Sequence, residues 1–237
     1  MFRRPWIAPL AFVVIAFLAF SLPRYLSFDP ARSLVPAPPD FPAHYPVLVA
    51  HILFGAVAMV TCALQVWPWL RQRHPAKHRI IGRVYVFAGV LPAGALGFVV
   101  GITSPFGPVA QVSHVLLSAM WLGFTVMGLV TARQRRMAEH RRWMVRSFAL
   151  TMSIITNRLW SVLASVVLTP RLETAFGGSE LALTQSIGAI SSWLGWTIPL
   201  LAAQWWLDRG QRRRTRTAMP SSSAASPSSK TSSRSRS

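Results

Sequence analysis

Six apolar stretches, each close to the length needed to cross a lipid bilayer, constrain this chain more than any other feature. A transmembrane helix needs about 20 consecutive apolar residues. None of the stretches alternates apolar and polar residues as a membrane β-strand does. Charged residues make up only 13% of the sequence, against about 25% in a soluble domain. The sequence therefore predicts an all-α bundle of six transmembrane helices, over residues 6–22, 47–70, 82–102, 110–132, 145–168 and 187–207.

The distribution of Lys and Arg residues predicts the orientation. If the N-terminus lies in the cytoplasm, 21 of the 25 Lys and Arg residues fall in cytoplasmic segments, and such a bias sets the orientation of membrane proteins. We predict a multi-pass protein of the bacterial cytoplasmic (inner) membrane with both termini in the cytoplasm. The net charge of +19 then reflects topology and attraction to anionic lipid headgroups. The alternative for the first stretch is a signal peptide, which shares its basic start and small residues.

Four regions follow from these stretches: 1–46, the first helix and an outer loop; 47–168, a four-helix core; 169–207, an outer loop and the sixth helix; and 208–237, a tail. The tail is rich in Ser and Arg and lacks apolar periodicity, which predicts a disordered cytoplasmic segment. It also lacks the interleaved aromatic residues that bind single-stranded nucleic acid, so we predict no specific nucleic-acid partner. The one cysteine, Cys62, excludes a disulfide framework.

A repeated phrase divides the core into two similar halves. Residues 71–79 read RQRHPAKHR and residues 133–141 read RQRRMAEHR, with six of the nine positions identical. His51 lies on the helix that precedes the first phrase, and His114 lies on the helix that precedes the second. His78 and His140 lie within the phrases themselves, just before the predicted start of their apolar stretches. We interpret the second and third helices, and the fourth and fifth, as copies of one two-helix unit. Such repeats place functional sites at the interface between copies.

Four consecutive helices therefore carry one histidine each, two near the outer side of the membrane and two near the inner side. Small or polar residues follow each histidine at helical spacing, so each stripe is predicted to face the interior of the bundle. Plain helix packing produces such stripes too, but it does not by itself place an ionisable side chain at the head of all four. The stripes are Gly55, Ala58, Cys62 and Gln65 after His51; Ser118, Trp121, Thr125 and Gly128 after His114; Gly82, Tyr85, Gly89 and Pro92 after His78; and Met144, Ser147, Thr151, Ile154, Arg158, Ser161 and Ser165 after His140.

Histidines inside a helical bundle suit the iron of a b-type haem, because neutral imidazole is a good axial ligand. Gly55, Ala58, Gly82 and Gly89 would leave room for the flat macrocycle. Zinc fits less well, since no HExxH motif, acidic ligand or thiolate accompanies the histidines. The cations expected to meet the haem propionates are Arg158, as a buried side chain, for the outer site and Arg79, Arg83, Arg141, Arg142 and Arg146 for the inner site. The alternative for Arg158 is that it pairs with a backbone carbonyl or Gln65, or extends outward from the bundle.

The arrangement of these four histidines resembles the cytochrome b561 architecture, in which six spanning helices hold two b haems. The resemblance covers residues 47–168 and implies that His51 pairs with His114 and that His78 pairs with His140. The sequence motifs are similar to those of a bacterial family of integral membrane proteins, domain of unknown function 2306. That similarity rests on His51 with Gln65, on HRIIGRVY from residue 78, on Trp121, and on HRRWMVRSFALT and NRLW from residues 140 and 157. It implies a membrane protein and no particular activity.

Three functions stay open at this point. The first is a membrane electron carrier with one or two b haems, exchanging electrons with a quinone or a redox partner. The second is a non-enzymatic protein whose Arg/His-rich cytoplasmic face binds an anionic lipid or metabolite. The third is a passive transporter or structural subunit. Hydrolase chemistry is disfavoured, because no GxSxG, Walker A or HExxH motif is present and the apolar helices are nearly free of Asp and Glu. The sequence leaves the oligomeric state open.

Several aromatic and histidine residues outside the stripes, or at the membrane boundary, are expected to play ordinary roles. Tyr85 and Trp143 are predicted to belong to the interfacial aromatic belt. His44 and His74 are predicted to be solvated loop residues. The tryptophans of the last helix are predicted to face lipid or the interface: Trp193, Trp196, Trp205 and Trp206.

Overall fold

The computed structural model describes residues 5–38 and 41–218, with side chains up to residue 210. All regular elements within these residues are helices. They are α1 (Ile7–Ser21), α2 (Pro23–Leu26), α3 (His44–Gln65), α4 (Pro68–Arg73), α5 (Pro75–Arg83), α6 (Leu91–Ile102), α7 (Pro108–Arg133), α8 (Met137–Leu168), α9 (Leu172–Phe176) and α10 (Glu180–Ala218), with a π-helical segment at Val84–Val90 and single 3-10 turns at Pro30–Arg32 and Thr169–Arg171. Of the tail predicted to be disordered, residues 208–218 continue α10, and residues 219–237 lie outside the described residues.

Five helical segments are long and apolar enough to cross a membrane, namely His44–Gln65, Pro75–Ile102, Pro108–Arg133, Met137–Phe176 and Glu180–Gly210. They confirm a multi-pass membrane protein. The first apolar stretch forms a shorter helix of 15 residues, α1, which spans about 22 Å at 1.5 Å per residue against a hydrocarbon core of about 30 Å. The helix is interrupted at Leu22 because Pro23 has no N–H to continue the backbone ladder, and Pro23 begins α2. The sixth span stays a prediction.

The helices begin earlier along the chain than the apolar stretches suggested. Both basic phrases run into helices, so His78 and His140 each occupy the fourth residue of α5 and α8. The expectation that these histidines precede their helices is wrong, because an apolar window marks membrane depth and not the point where helical hydrogen bonding starts. In the first copy α3 ends at Gln65 and Trp67 is extended, as expected for a residue that precedes a proline.

Two antiparallel hairpins form the centre of the bundle. Helix α3 packs against the π-helical segment and α6, and α7 packs against α8. The residues that connect the helices of each hairpin contain the repeated basic phrase, and we call this the basic end of the molecule. The opposite end carries the start of α3 and α7.

The π-helical segment brings the first hairpin into close contact. Pro92 cannot donate a backbone hydrogen bond and its ring crowds the carbonyl four residues earlier, so a wider turn accommodates it. Within this segment Gly89 touches α3, since a Cβ on Gly89 would lie 2.9 Å from the Cα of Ala58. Glycine at this position is what permits the backbones to approach so closely.

The last helix is part of the core. Helix α10 packs along most of α8, with Gly195 so close that a Cβ there would lie 2.9 Å from the Cα of Asn157. The indole of Trp196 is buried and donates a hydrogen bond to the Ser113 hydroxyl at 2.9 Å. The prediction that Trp196 faces lipid or the interface is therefore wrong, although Trp205 and Trp206 are exposed as expected.

Candidate functional site

A cavity of about 520 Å³ opens in the half of the bundle away from the basic end. Helices α1, α3, α6, α7, α8 and α10 all contribute to its wall. Two of the four predicted ligands, His51 and His114, line this cavity together with Arg158. The structure therefore brings the three residues predicted for the outer site to one space. Its volume falls in the range of about 300–1,000 Å³ that is usual for small-molecule and cofactor sites.

The His51 ring is held in a defined tautomer. Its Nδ1 lies 2.8 Å from the carbonyl oxygen of Ala93 on α6. Because a carbonyl can only accept, Nδ1 carries the proton and donates it. The lone pair then resides on Nε2, the nitrogen that is free to bind a metal or a ligand. Histidines that ligate metals almost always donate their other ring N–H in this way.

Two glycines on α6 allow His51 and His114 to approach this helix. A Cβ on Gly97 would lie 3.3 Å from Cε1 of His51, and a Cβ on Gly101 would lie 3.0 Å from Cβ of His114. The glycines are four residues apart and so share one face of α6, about 6 Å apart along the axis. His51 and His114 therefore contact the same helix face at neighbouring turns. Beside them, Gly55 of α3 faces open space.

The other two histidines lie at the basic end. The His140 Nδ1 donates to the carbonyl oxygen of Gly128 at 2.8 Å, which repeats the arrangement of His51. The buried Nδ1 of His78 has no hydrogen-bond partner among the described residues. The Gln65 amide donates to the backbone carbonyl of His78 at 2.7 Å. Of the two pairings implied by the cytochrome resemblance, His51 and His114 line one cavity, and the pairing of His78 with His140 stays a prediction.

The arginines predicted to surround the inner pair differ in their surroundings. Arg146 donates two hydrogen bonds to Oε1 of Gln204, at 3.1 and 2.8 Å, and lies over the Trp143 ring. Arg141 lies over the ring of Trp206. Both therefore contact side chains in the bundle, and Trp143 serves as a stacking partner. Arg79 and Arg83 are exposed, and Arg142 is half-buried.

Arg158 does not lie inside the bundle. Its side chain lines the cavity but is exposed at the protein surface, so the expectation of a buried cation is wrong. In the stripe that begins at His140, Ser147 and Thr151 are buried, whereas Ile154, one turn further on, is 38% exposed. Arg158 accordingly stands at the rim of the cavity.

A network of buried hydroxyls separates the two histidine levels. The Tyr85 hydroxyl lies 2.5 Å from Oγ of Ser147 and 2.8 Å from Oγ1 of Thr151. The Trp121 indole donates to Thr151 at 3.0 Å, and Thr125 lies 2.7 Å from Ser147. Each of these polar groups is thereby satisfied, as burial demands.

The sequence contained a signal for this network. Its five members all lie on three of the histidine stripes, which were predicted to face the interior, and all five are buried. Tyr85 was nevertheless assigned to the interfacial belt. That assignment is wrong, because the Tyr85 side chain is only 1% exposed and its hydroxyl has two partners inside the bundle.

Replacing Tyr85 with phenylalanine is expected to destabilise the protein by about 1–3 kcal/mol, because the two buried hydroxyls that it contacts each lose a hydrogen-bond partner. Thermal unfolding of the detergent-solubilised protein measures this loss. The control is Tyr25→Phe at another buried tyrosine, for which the structure gives no side-chain hydrogen bond within the described residues. Equal unfolding temperatures for the two variants would contradict the role of the network.

His44 is the other residue whose surroundings the sequence did not reveal. It is the first residue of α3 and is 1% exposed, with the Phe41 ring edge-on beside it. The prediction of a solvated loop residue is wrong for His44. His74, half-buried against the edge of Trp69, is also more enclosed than expected.

Within the described residues, no three His, Cys, Asp or Glu side chains converge as a metal site would require. A haem iron needs only one or two protein ligands, so the histidine pairs are judged on their own geometry. A fixed tautomer at His51 and at His140 suits axial ligation. The cavity lies beside the His51–His114 pair. A haem therefore fits better there than beside His78 and His140.

Comparison with known proteins places the chain in a family. No curated protein and no solved structure matches it. Residues 48–207 match the family described as "Predicted membrane protein (DUF2306)". The matched region begins in α3 and ends in α10, so it includes both hairpins, all four histidines and most of the last helix. The chain belongs to the DUF2306 family of integral membrane proteins.

Proposed function

We propose that the protein is a b-type haem electron carrier of the bacterial cytoplasmic membrane. In this proposal His51 and His114 hold one haem near the outer side, and His78 and His140 hold a second near the cytoplasm. Helices α1 and α2 together supply a sixth span, which leaves both termini in the cytoplasm. The two hairpins derive from one duplicated unit.

A single observation supports this proposal most directly. His51 and His114 come from different hairpins, contact neighbouring turns of α6 and line one cavity. The hydrogen bond from Nδ1 of His51 to Ala93 leaves Nε2 as the basic nitrogen. Packing alone would not need the tautomer to be fixed or a space to be left beside the rings.

The remaining residues of the cavity would bind and orient the group. The open space next to Gly55 would admit a flat ring, and Trp121 would form part of the apolar wall. At the rim Arg158 and Asn157 would meet carboxylates of the bound group. Bound haem would supply one-electron exchange at its iron. The protein's own contribution is to exclude water and to hold two imidazoles in a defined orientation.

At the basic end the same roles would fall to other side chains. His140, fixed by Gly128, and His78, with its unpartnered Nδ1, are the proposed ligands. Arg79, Arg83 and Arg142 are the cations available for propionates, since Arg141 and Arg146 already contact α10. An electron acceptor or donor would be a membrane quinone or a protein redox partner.

The optical spectrum of the purified protein tests the proposal. The full chain should be produced in haem-supplemented cells, purified in a mild detergent and assayed for haem content. We expect one or two haems per chain and an absorption band that sharpens on addition of dithionite. A colourless preparation whose circular dichroism shows intact helices would contradict the proposal. It would favour one of the two other functions, anion binding or a structural role.

A further inference from the structure

The two copies of the basic phrase have different surroundings, although their sequences are similar. In residues 71–79 the charged side chains are Arg71, Arg73, Lys77 and Arg79, a formal charge of +4 with His neutral. In residues 133–141 four arginines are accompanied by Glu139, so the charge is +3. Lys77 and Glu139 occupy equivalent positions. One substitution thus gives the second copy an internal counter-charge that the first copy lacks.

The second copy uses two of its four cations, Arg136 and Arg141, within the protein, while Arg133 and Arg135 are exposed. Arg136 forms an ion pair with Glu139 and donates a hydrogen bond to Gln134 at 3.0 Å. Arg141 lies over the Trp206 ring of α10, 5.0 Å from its centroid. The neighbouring Arg146 is held by Gln204, whose amide in turn donates to Asp208. These contacts stabilise the connection between α7 and α8 and attach the start of α8 to α10.

The first copy leaves its cations available. Arg71, Arg73, Lys77 and Arg79 are all exposed. Among the described residues, none of the four forms an ion pair with a carboxylate. Like charges this close repel one another, so a cluster of this kind is stabilised by an external anion.

Exposed apolar side chains accompany these cations. Trp67 and Trp69 lie with their ring centroids 5.0 Å apart and are 37% and 41% exposed, and Ile80 is 58% exposed. Trp69 also packs on the edge of His74, which orders the turn. The equivalents of the two tryptophans in the second copy are Leu129 and Thr131, so this aromatic pair is a property of the first copy alone.

We propose that residues 67–83, which we call the first basic turn, bind the headgroups of anionic phospholipids. Tryptophan prefers the headgroup region of a bilayer, and each Lys or Arg near an anionic membrane surface adds about 1 kcal/mol of attraction. The turn joins two membrane-spanning helices and therefore lies at the bilayer boundary. A soluble anion would use the cations but would have no need of Trp67, Trp69 and Ile80. The combination fits a lipid, and the cations Arg71, Arg73 and Lys77 of this turn are not among the residues proposed to hold haem.

Native mass spectrometry of the full chain in a nonionic detergent can measure the binding of phospholipid to the protein. The probe is phosphatidylglycerol, with phosphatidylcholine as the zwitterionic comparison. The test variant is Arg71→Gln/Arg73→Gln/Lys77→Gln, and the matched control is Arg133→Gln/Arg135→Gln/Arg141→Gln, which removes three positive charges from the second copy. At about fivefold per charge, we expect the test variant to bind phosphatidylglycerol at least tenfold more weakly and the control to change by less than threefold.

Several outcomes would overturn the proposal. Equal weakening in both triple variants would show that net charge alone attracts the lipid. Wild-type binding of phosphatidylcholine as strong as that of phosphatidylglycerol would remove the requirement for an anion. Displacement of the lipid by inorganic phosphate would identify the ligand as a free phosphate. If the triple variant does not fold, Arg71→Gln and Lys77→Gln singly should each weaken binding severalfold, and unchanged binding in both would refute the site.

Discussion

Replacing His51 with alanine is expected to abolish haem binding at the cavity and so remove up to half of the dithionite-reduced absorption band. His51 and His114 are the imidazoles that line the cavity, and the loss of His51 leaves at most one axial ligand there. His140→Ala is expected to remove the band of the site at the basic end. The double variant should then be colourless. Haem content per chain and reduced-minus-oxidised spectra measure each loss.

Two controls separate ligation from stability. His74→Ala changes a half-buried histidine that packs on Trp69 at the basic end and is not a proposed ligand, and it should leave the spectrum unaltered. Adding imidazole to His51→Ala should restore part of the band, because the small molecule can occupy the vacated space. An unchanged spectrum in His51→Ala would exclude His51 as a ligand, whatever the result for His140.

Gly89→Ala is expected to lower stability by about 1–3 kcal/mol, the usual cost of an extra methyl group in a packed core. The new Cβ would lie 2.9 Å from the Cα and 3.1 Å from the backbone nitrogen of Ala58. Backbone atoms cannot rotate away, so α3 and the π-helical segment must move apart. That movement would also disturb Tyr85, which belongs to the same segment. Thermal unfolding of the solubilised protein measures the loss.

The matched control is Gly123→Ala on α7. No atom lies within 4 Å of the position that a Cβ on Gly123 would take. Alanine there should be neutral or should stabilise the helix by up to about 1 kcal/mol, because glycine is the poorer helix former. If Gly89→Ala proves as stable as Gly123→Ala, the close contact between α3 and the π-helical segment is not present in the folded protein.

Much of the candidate site could be predicted from residue spacing. The stripes that begin at His51, His78 and His114 contain Ala58, Tyr85 and Thr125, each of which is almost wholly buried. Helical spacing alone places such residues on one face, and small or polar residues on that face mark a helix–helix contact. His51 and His114, predicted at one level in the membrane, also line one cavity.

Other parts of the site depended on how the helices cross. The His140 stripe leaves the core after Thr151, so Arg158 reaches the cavity rim from the surface. The partners of Tyr85 come from α8 and lie 62 and 66 residues away along the chain. Helix spacing within one segment cannot specify which residues of another segment it meets.

The sequence by itself determined the apolar helices, the basic end and the repeated basic phrase, because the length of a segment and the charge and identity of its residues are local properties. Only the tertiary structure decided that Trp196 and His44 are buried, that Arg158 is exposed, and that α10 packs along α8. In a membrane protein the lipid and the interior of the bundle are both apolar, so hydrophobicity does not distinguish the face that packs from the face that meets lipid. Side-chain shape and hydrogen bonding between helices make that choice, and both exist only once the helices are together.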